Sequence, residues 1–302
     1  MDFPAIITGE GDLAAFLKSN KPKVDAALDE AGALLFRGFD VPDAHAFDAA
    51  IEGYGEPGFT YEDSLSNAVR TNVTPRVFTA NEAPPSTEIF LHHEMAQTPI
   101  YPSKLFFYCE IAEMTGGATP LCRSDWLVER LYNHDEVLYS GFLASGVRYT
   151  NVMPSSDDAG SGQGRSWRST LSVSDREGAE TRLRELGYDW EWLHGDALRA
   201  TTPVLTAIRD KAGGKGEVFF NQLIAAFKGW SDSRNAAGKA ITWGNGAPIT
   251  HEDMAPVIAI AEELTVPLDW QEGDVALIDN FTVMHGRYPF EGKRRVLASL
   301  VA

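Results

Sequence analysis

The sequence is short of cysteine, of cationic side chains and of long apolar runs. Cys109 and Cys122 are its two cysteines, and neither lies in a Cys-x-x-Cys. That is too few for a disulfide framework or a thiolate zinc site, and fits two buried free thiols in a reducing compartment. Lysine and arginine total 26 against 43 aspartate and glutamate, a formal net charge of -17. A surface of that sign repels phosphate backbones and anionic lipid, so nucleic acid and membranes are poor partners; the acidity serves solubility. No uncharged apolar run approaches membrane-spanning length. Met1-Asp2-Phe3-Pro4 does not open a basic-then-apolar leader, and the expected location is the cytoplasm. The run Gly213-Gly214-Lys215-Gly216 lacks the following Ser or Thr and the helix of a phosphate loop. A helical His-x-x-x-His pair is also missing, which argues against a zinc hydrolase built on His92, His93 and Glu94.

What is present reads as one globular domain over residues 1–302. Residues 13–17 and 21–30 are helical in pattern and stop at Gly32; 33–39 reads as a short apolar strand. Asp43 is placed to cap a helix through Glu52. Residues 58–88 are rich in Ser, Thr, Asn and Pro with little periodicity, and a loop this long predicts an active-site lid. Strand patterns follow at 88–93, 105–110, 147–152 and 217–220. Helices are predicted from Ser124 as cap through Leu131, over 135–144, over 175–186 closed by Gly187, and over 251–264. Residues 228–249 read as loop, and about 155–250 as an inserted helical and loop region. Strands at 275–278 and 294–301 close the chain. Strands alternate with turns more than with helices, which predicts a mainly β fold with flanking helices (α+β) around an antiparallel jelly-roll core.

The chemistry gathers at His92-His93-Glu94. In extended backbone, residues two apart share a face, so His92 and Glu94 project together and His93 points away. A third ligand is offered by His285, just past the buried strand at 275–278. Two histidines and a carboxylate on one octahedral face leave three positions open, the facial triad of non-haem iron(II) oxygenases. A lone His-x-Glu occurs by chance in many proteins, so the weight lies in the combination. Arg294 and Arg295 open the terminal strand. A guanidinium inside a barrel needs a carboxylate partner, and a dicarboxylic co-substrate chelating the metal would supply one. Alternation puts one of the two inward and the other in solvent.

With these residues in view, the sequence resembles the TauD/TfdA-like family, and within it the SyrP-like and clavaminate-synthase-like amino-acid hydroxylases. The resemblance rests on Leu91-His92-His93-Glu94-Met95, Phe106-Phe107-Tyr108-Cys109 and Gly116-Gly117-Ala118-Thr119-Pro120. It continues through Phe219-Phe220-Asn221-Gln222, Trp270-Gln271-Glu272-Gly273-Asp274, Asp279-Asn280 and His285-Gly286-Arg287-Tyr288-Pro289-Phe290. It implies a double-stranded β-helix (cupin-like) core, Fe(II) held by His92, Glu94 and His285, and 2-oxoglutarate and dioxygen as co-substrates. Thr119 and Arg295 would hold 2-oxoglutarate, Arg295 because Val and Leu follow it. Ser299 stands where the family's taurine enzyme has a second arginine, so that contact is not expected. Glu94 in place of a small residue argues against halogenation. Asp279 and Asn280 are placed either to orient His285 or to cap a strand end. The implied reaction is hydroxylation of a free or carrier-bound amino acid or similar small polar metabolite, with Arg148, Trp167, Arg168 and Asn221 as pocket candidates. Desaturation or cyclisation with the same cofactors, and a non-catalytic jelly-roll binding protein, are the alternatives.

Overall fold

A computed structural model describes residues 2–61, 64–66, 70–80, 83–158, 164–211, 214–229 and 240–302. Its centre is two facing sheets. The larger runs Ala5–Thr8, Ala33–Arg37, Val275–Asp279, Lys104–Ile111, Arg295–Val301 and Gly58–Phe59, with Phe78–Thr79 also paired to the terminal strand. The smaller runs Val266–Leu268, Thr119–Arg123, Val283–Arg287 and Ile89–His92. All pairings in both are antiparallel except Ala5–Thr8 on Ala33–Arg37. Leu105, Cys109, Ala276, Ile278, Val296 and Ala298 of the larger sheet meet Leu121, Leu268 and Val283 of the smaller in one apolar layer. This is the jelly-roll core that the alternation of strands and turns predicts.

The central strands of the larger sheet are buried on both faces, which is why Ala33–Phe36 and Val275–Ile278 read as unbroken apolar runs. Its outer face, with Phe36, Phe106, Leu277 and Leu297, is covered by two helices. The first, Leu13–Ala31, starts where Asp12 accepts the Ala14 amide and stops at Gly32, whose φ of 79° ends it in the left-handed region. The second, Ala44–Tyr54, is capped by Asp43, which accepts from the His45 and Ala46 amides. Each fully buried leucine or phenylalanine on this face stabilises by roughly 1.5–3 kcal/mol. On the smaller sheet, Leu91, Cys122 and Met284 pack under helices Ser124–His134 and His251–Leu264. Ser124 begins its helix instead of capping it: its hydroxyl donates to the Thr282 carbonyl at 3.0 Å, tying the helix start to the smaller sheet.

Residues 147–250 hold more strand than expected. Asp189–Trp192, Leu198–Thr201, Val147–Met153 and Ile241–Trp243 form a four-stranded sheet, and Ile208–Asp210 pairs with Glu217–Phe219. Ile241–Trp243 falls within the stretch expected as loop, of which 230–239 lies outside the described residues. Helix Leu223–Gly229 was not foreseen. Helix Arg176–Glu185 packs Ala179 and Leu183 with Trp167, Leu171 and Leu198, giving this region a small core of its own. Of the predicted lid, residues 62, 63, 67–69, 81 and 82 lie outside the described residues; its Gly58–Phe59 and Phe78–Thr79 are strands on the larger sheet.

Candidate metal and co-substrate site

His92 ends the strand Ile89–His92, and His285 is paired directly opposite it on Val283–Arg287. Their rings lie 4.4 Å apart between centroids. Glu94 follows in the turn after the strand, with Oε2 3.8 Å from His92 Nε2 and 3.7 Å from His285 Nε2. Donor atoms of the three residues all lie within 4.8 Å of one another. His92 Nδ1 sits 2.8 Å from the Phe90 carbonyl. A carbonyl only accepts, so Nδ1 carries a proton, and Nε2 is the ring nitrogen that faces the group. Burial alone would raise the Glu94 carboxyl, but the two imidazoles beside it and the nearby Arg70 guanidinium hold it down at about 2. Burial, and then the neighbouring His92, keep His285 well below its usual range, so it is neutral. Two imidazole nitrogens and one carboxylate oxygen are the donor set that suits Fe(II).

The surrounding contacts set this geometry. Tyr61, in the predicted lid, donates its hydroxyl to Glu94 Oε1 at 2.9 Å. Asn280 accepts the Glu94 amide through Oδ1 at 2.8 Å, and its Nδ2 donates to the carbonyls of Glu94 and Pro102. His93 points away, its Nδ1 on the Asn280 carbonyl at 2.5 Å and its ring beside Phe220. Burial pushes the His93 imidazole down to about 3. Asn280 therefore fixes Glu94, not His285. Asp279 accepts from the Phe281 amide and the Thr282 hydroxyl, which caps the strand end. His285 Nδ1 has no hydrogen-bond partner among the described residues, and its ring rests on Phe107.

A partly open cavity lies over the three residues. Phe78, Phe107, Val296, Ala298 and Leu300 give it an apolar wall, and Thr119, Arg70, Arg287 and Arg294 supply polar points. The even-numbered residues of the terminal strand face this cavity, and Arg294 is in phase with them. Its side chain is 7% exposed; Nε meets Glu113 Oε2 at 3.2 Å and the Gly117 carbonyl at 3.1 Å. Its two terminal nitrogens make no hydrogen bond to the described residues, so one edge of the fork remains for a ligand. Thr119 is buried in the same wall, with its hydroxyl accepting from Trp270 Nε1 at 2.9 Å.

Other candidates fall elsewhere. Arg295 lies on the opposite face of the strand, 46% exposed and paired with Glu110, so the resemblance-based preference for Arg295 over Arg294 is corrected. Ser299 also faces away from the cavity, fully buried. Arg148 is engaged by the Thr202 carbonyl and Asp189. Trp167 is buried in the small core of the inserted region, donating to the Asp196 carbonyl, and Arg168 pairs with Asp196. Asn221 caps the helix at Leu223 and donates to the Ala207 carbonyl. None of these four lines the cavity: each is spent on structure. Sequence reasoning missed Tyr61, Arg70 and Arg287. The first two sit in aperiodic sequence that carries no facing signal; Arg287 stood in a quoted motif but its side follows only from strand register.

A jelly roll with two histidines and a carboxylate at one end, and a buried guanidinium across the cavity, defines a mononuclear metal oxygenase that takes an acidic co-substrate. Over residues 4–300 the chain matches the family described as "Taurine catabolism dioxygenase TauD, TfdA family", and it belongs to that family. It is 41% identical over 284 residues to a clavaminate synthase-like protein of Arabidopsis thaliana, covering 94% of this chain and 86% of the relative. It is 28% identical over 289 residues to the dapdiamide synthesis protein DdaC of Enterobacter agglomerans, covering 92% and 84%. Among solved structures, AAD-2 in complex with Mn(II) and N-oxalylglycine superposes with a TM-score of 0.56 at 14% identity, covering 100% of this chain and 95% of that one. The protein is a 2-oxoglutarate-dependent dioxygenase that uses Fe(II), 2-oxoglutarate and dioxygen.

Proposed function

We propose that this enzyme hydroxylates a C–H bond of a small amino-acid-like substrate, free or carrier-bound, at an iron held by His92 Nε2, Glu94 Oε2 and His285 Nε2. The carrying observation is the convergence of those three residues at a cavity that Arg294 also lines. When bound, iron would let dioxygen act as the oxidant, one oxygen atom going to the substrate and the other to 2-oxoglutarate, which is oxidised to succinate and carbon dioxide. The chain's own part is positioning. The Phe90 carbonyl holds the proton on His92 Nδ1, so Nε2 stays a ligand. Arg294 and Thr119 receive the far carboxylate of 2-oxoglutarate, with Glu113 and Gly117 fixing the guanidinium plane. The apolar wall excludes water. Residues 58–88 serve as the lid. Arg70 and Arg287 also line the wall, Arg287 with its terminal nitrogens donating to the Ala83, Pro84 and Thr87 carbonyls. The relative named for dapdiamide synthesis supports a small metabolite as substrate.

Anaerobic titration with Fe(II) and 2-oxoglutarate tests the site. A weak visible charge-transfer band is expected for the unmodified protein and for His93→Ala, and none for His92→Ala or His285→Ala. Loss of the band in His93→Ala alone refutes the ligand set. Amino acids and their carrier-bound forms, screened by succinate release and labelled dioxygen, should yield a product carrying one labelled oxygen. Glu94 occupies the position a halide would need, so a chlorinated product refutes the reading; loss of two hydrogens without label replaces hydroxylation by desaturation.

A further inference from the structure

The Glu94 carboxylate is engaged from two sides. Oε2 is the oxygen nearest both histidines, whereas Oε1 accepts the Tyr61 hydroxyl at 2.9 Å. Resting on the ligand set proposed above, we infer that Tyr61 is a positioning residue that restricts Glu94 to ligation through one oxygen. An octahedral metal has six positions. Three single-atom protein ligands and a chelating 2-oxoglutarate fill five, leaving one for a diatomic gas. If Glu94 chelated through both oxygens, all six would be filled.

The hydroxyl is held there by an unusual route. Tyr61 packs edge-on against Phe78 at 5.0 Å, and Arg70 lies over its ring at 5.1 Å. The Tyr61 carbonyl accepts from the Ser64 hydroxyl at 2.8 Å and from Arg165 Nη1 at 3.3 Å. Arg165 also donates to the Ser66 carbonyl and to the hydroxyl and carbonyl of Ser169, so it bridges the lid turn to the inserted region. Leu65 is buried in the same small core as Trp167 and Leu171. The turn that carries Tyr61 is therefore docked on the inserted region, and that docking holds the carboxylate by its second oxygen.

Tyr61→Phe keeps the ring and its packing on Phe78 and removes only the donor. Nitric oxide, a dioxygen surrogate, is titrated into the anaerobic protein loaded with Fe(II) and 2-oxoglutarate, and the visible ligand-field bands of the Co(II)-loaded protein are recorded in parallel. In Tyr61→Phe the Fe(II)–2-oxoglutarate band should persist while nitric oxide affinity falls about tenfold, the scale of one hydrogen bond to a charged group. The Co(II) bands should shift toward a higher coordination number. Arg165→Met, which leaves the hydroxyl but loosens the docking, should move both readouts the same way by less, and carries the test if Tyr61→Phe does not fold. Unchanged nitric oxide affinity and Co(II) bands overturn the inference. So does loss of Fe(II) binding in a folded Tyr61→Phe protein, which would make Tyr61 a plain support. Absence of the band in the unmodified protein defeats the ligand set itself, and the inference with it.

Discussion

Replacing Arg294 by alanine is expected to weaken 2-oxoglutarate binding far more than replacing Arg295. The Arg294 side chain is 7% exposed and its Nε edge is already held by Glu113 and Gly117, so its open edge meets a carboxylate without further ordering. Removing such a desolvated, charge-assisted contact costs roughly 2–5 kcal/mol. That converts to a Kd raised about 30-fold at the low end and by several thousand at the high end. Arg295 is 46% exposed and pairs with Glu110 on the other face, an ion pair worth about 0–1 kcal/mol that touches no cavity residue. Its loss should change Kd by no more than about twofold. The assay is anaerobic titration of 2-oxoglutarate into the Fe(II)-loaded variants, read by the charge-transfer band and by calorimetry. One confounder is visible: Arg294→Ala strands the Glu113 carboxylate, which is also 7% exposed, in the interior. The double variant Arg294→Met with Glu113→Gln removes that charge, and should recover thermal stability but not 2-oxoglutarate affinity. A larger Kd increase in Arg295→Ala, or full recovery of affinity in the double variant, refutes the assignment.

Asn280→Ala removes three hydrogen bonds around Glu94 and Pro102 and should destabilise the fold by roughly 2–4 kcal/mol. Fe(II) affinity should fall with it, read by calorimetry beside a thermal melt; a lowered Tm with unchanged Fe(II) affinity refutes a role for Asn280 in placing Glu94. The metal-free protein should lose stability on acidification. Burial holds His93 neutral to about 3 in the fold against an ordinary 6.5, so the unfolded chain takes up its proton first. Stability from this group is complete above 6.5 and falls toward 3 by about 1.4 kcal/mol per pH unit. Glu94, held down at about 2 from an ordinary 4.5, contributes its own loss only below 4.5. Between those two limits His93→Gln should shallow the melting slope, and an unchanged slope refutes the buried-histidine account.

The middle of the larger sheet and the helices over it were legible because their causes are local, whereas Thr119–Arg123, Val283–Arg287 and Val266–Leu268 of the smaller sheet were not foreseen. Gly32 stops one helix, Asp43 opens the next, and the unbroken apolar run at 275–278 marks a strand covered on both faces. The alternation of His92, His93 and Glu94 carried over even though the strand ends at His92, because the turn still sends His93 toward Asn280. Choosing between Arg294 and Arg295 needed strand parity: the match of following aliphatics pointed to Arg295, whereas Arg294 is the one that lines the cavity. Val296, Ala298 and Leu300 share the cavity face with Arg294, a pattern that was present in the sequence but undecidable without knowing which face the cavity lay on. Tyr61 and Arg70 left no signal, since an aperiodic loop encodes neither direction nor partner. Trp167 and Arg168 drew attention as large polar-tipped side chains, yet their chemistry is satisfied by Asp196.

The docking of Leu65 into the small core around Trp167 separates the parts of this molecule that selection can act on. His92 and His285 belong to the two-sheet core, and Glu94 is pinned by Asn280, which follows a strand of that core. Tyr61 in the cavity wall leans, through Arg165 and the neighbouring Leu65, on a different body of residues that includes Trp167, Leu171 and Leu198. Drift in that body can reshape which molecules enter while leaving every proposed metal donor in place. Drift at Asn280 has no such latitude, because the same amide that ties Glu94 also ties Pro102. New substrates should therefore arise through the pedestal of the lid sooner than through the jelly roll itself.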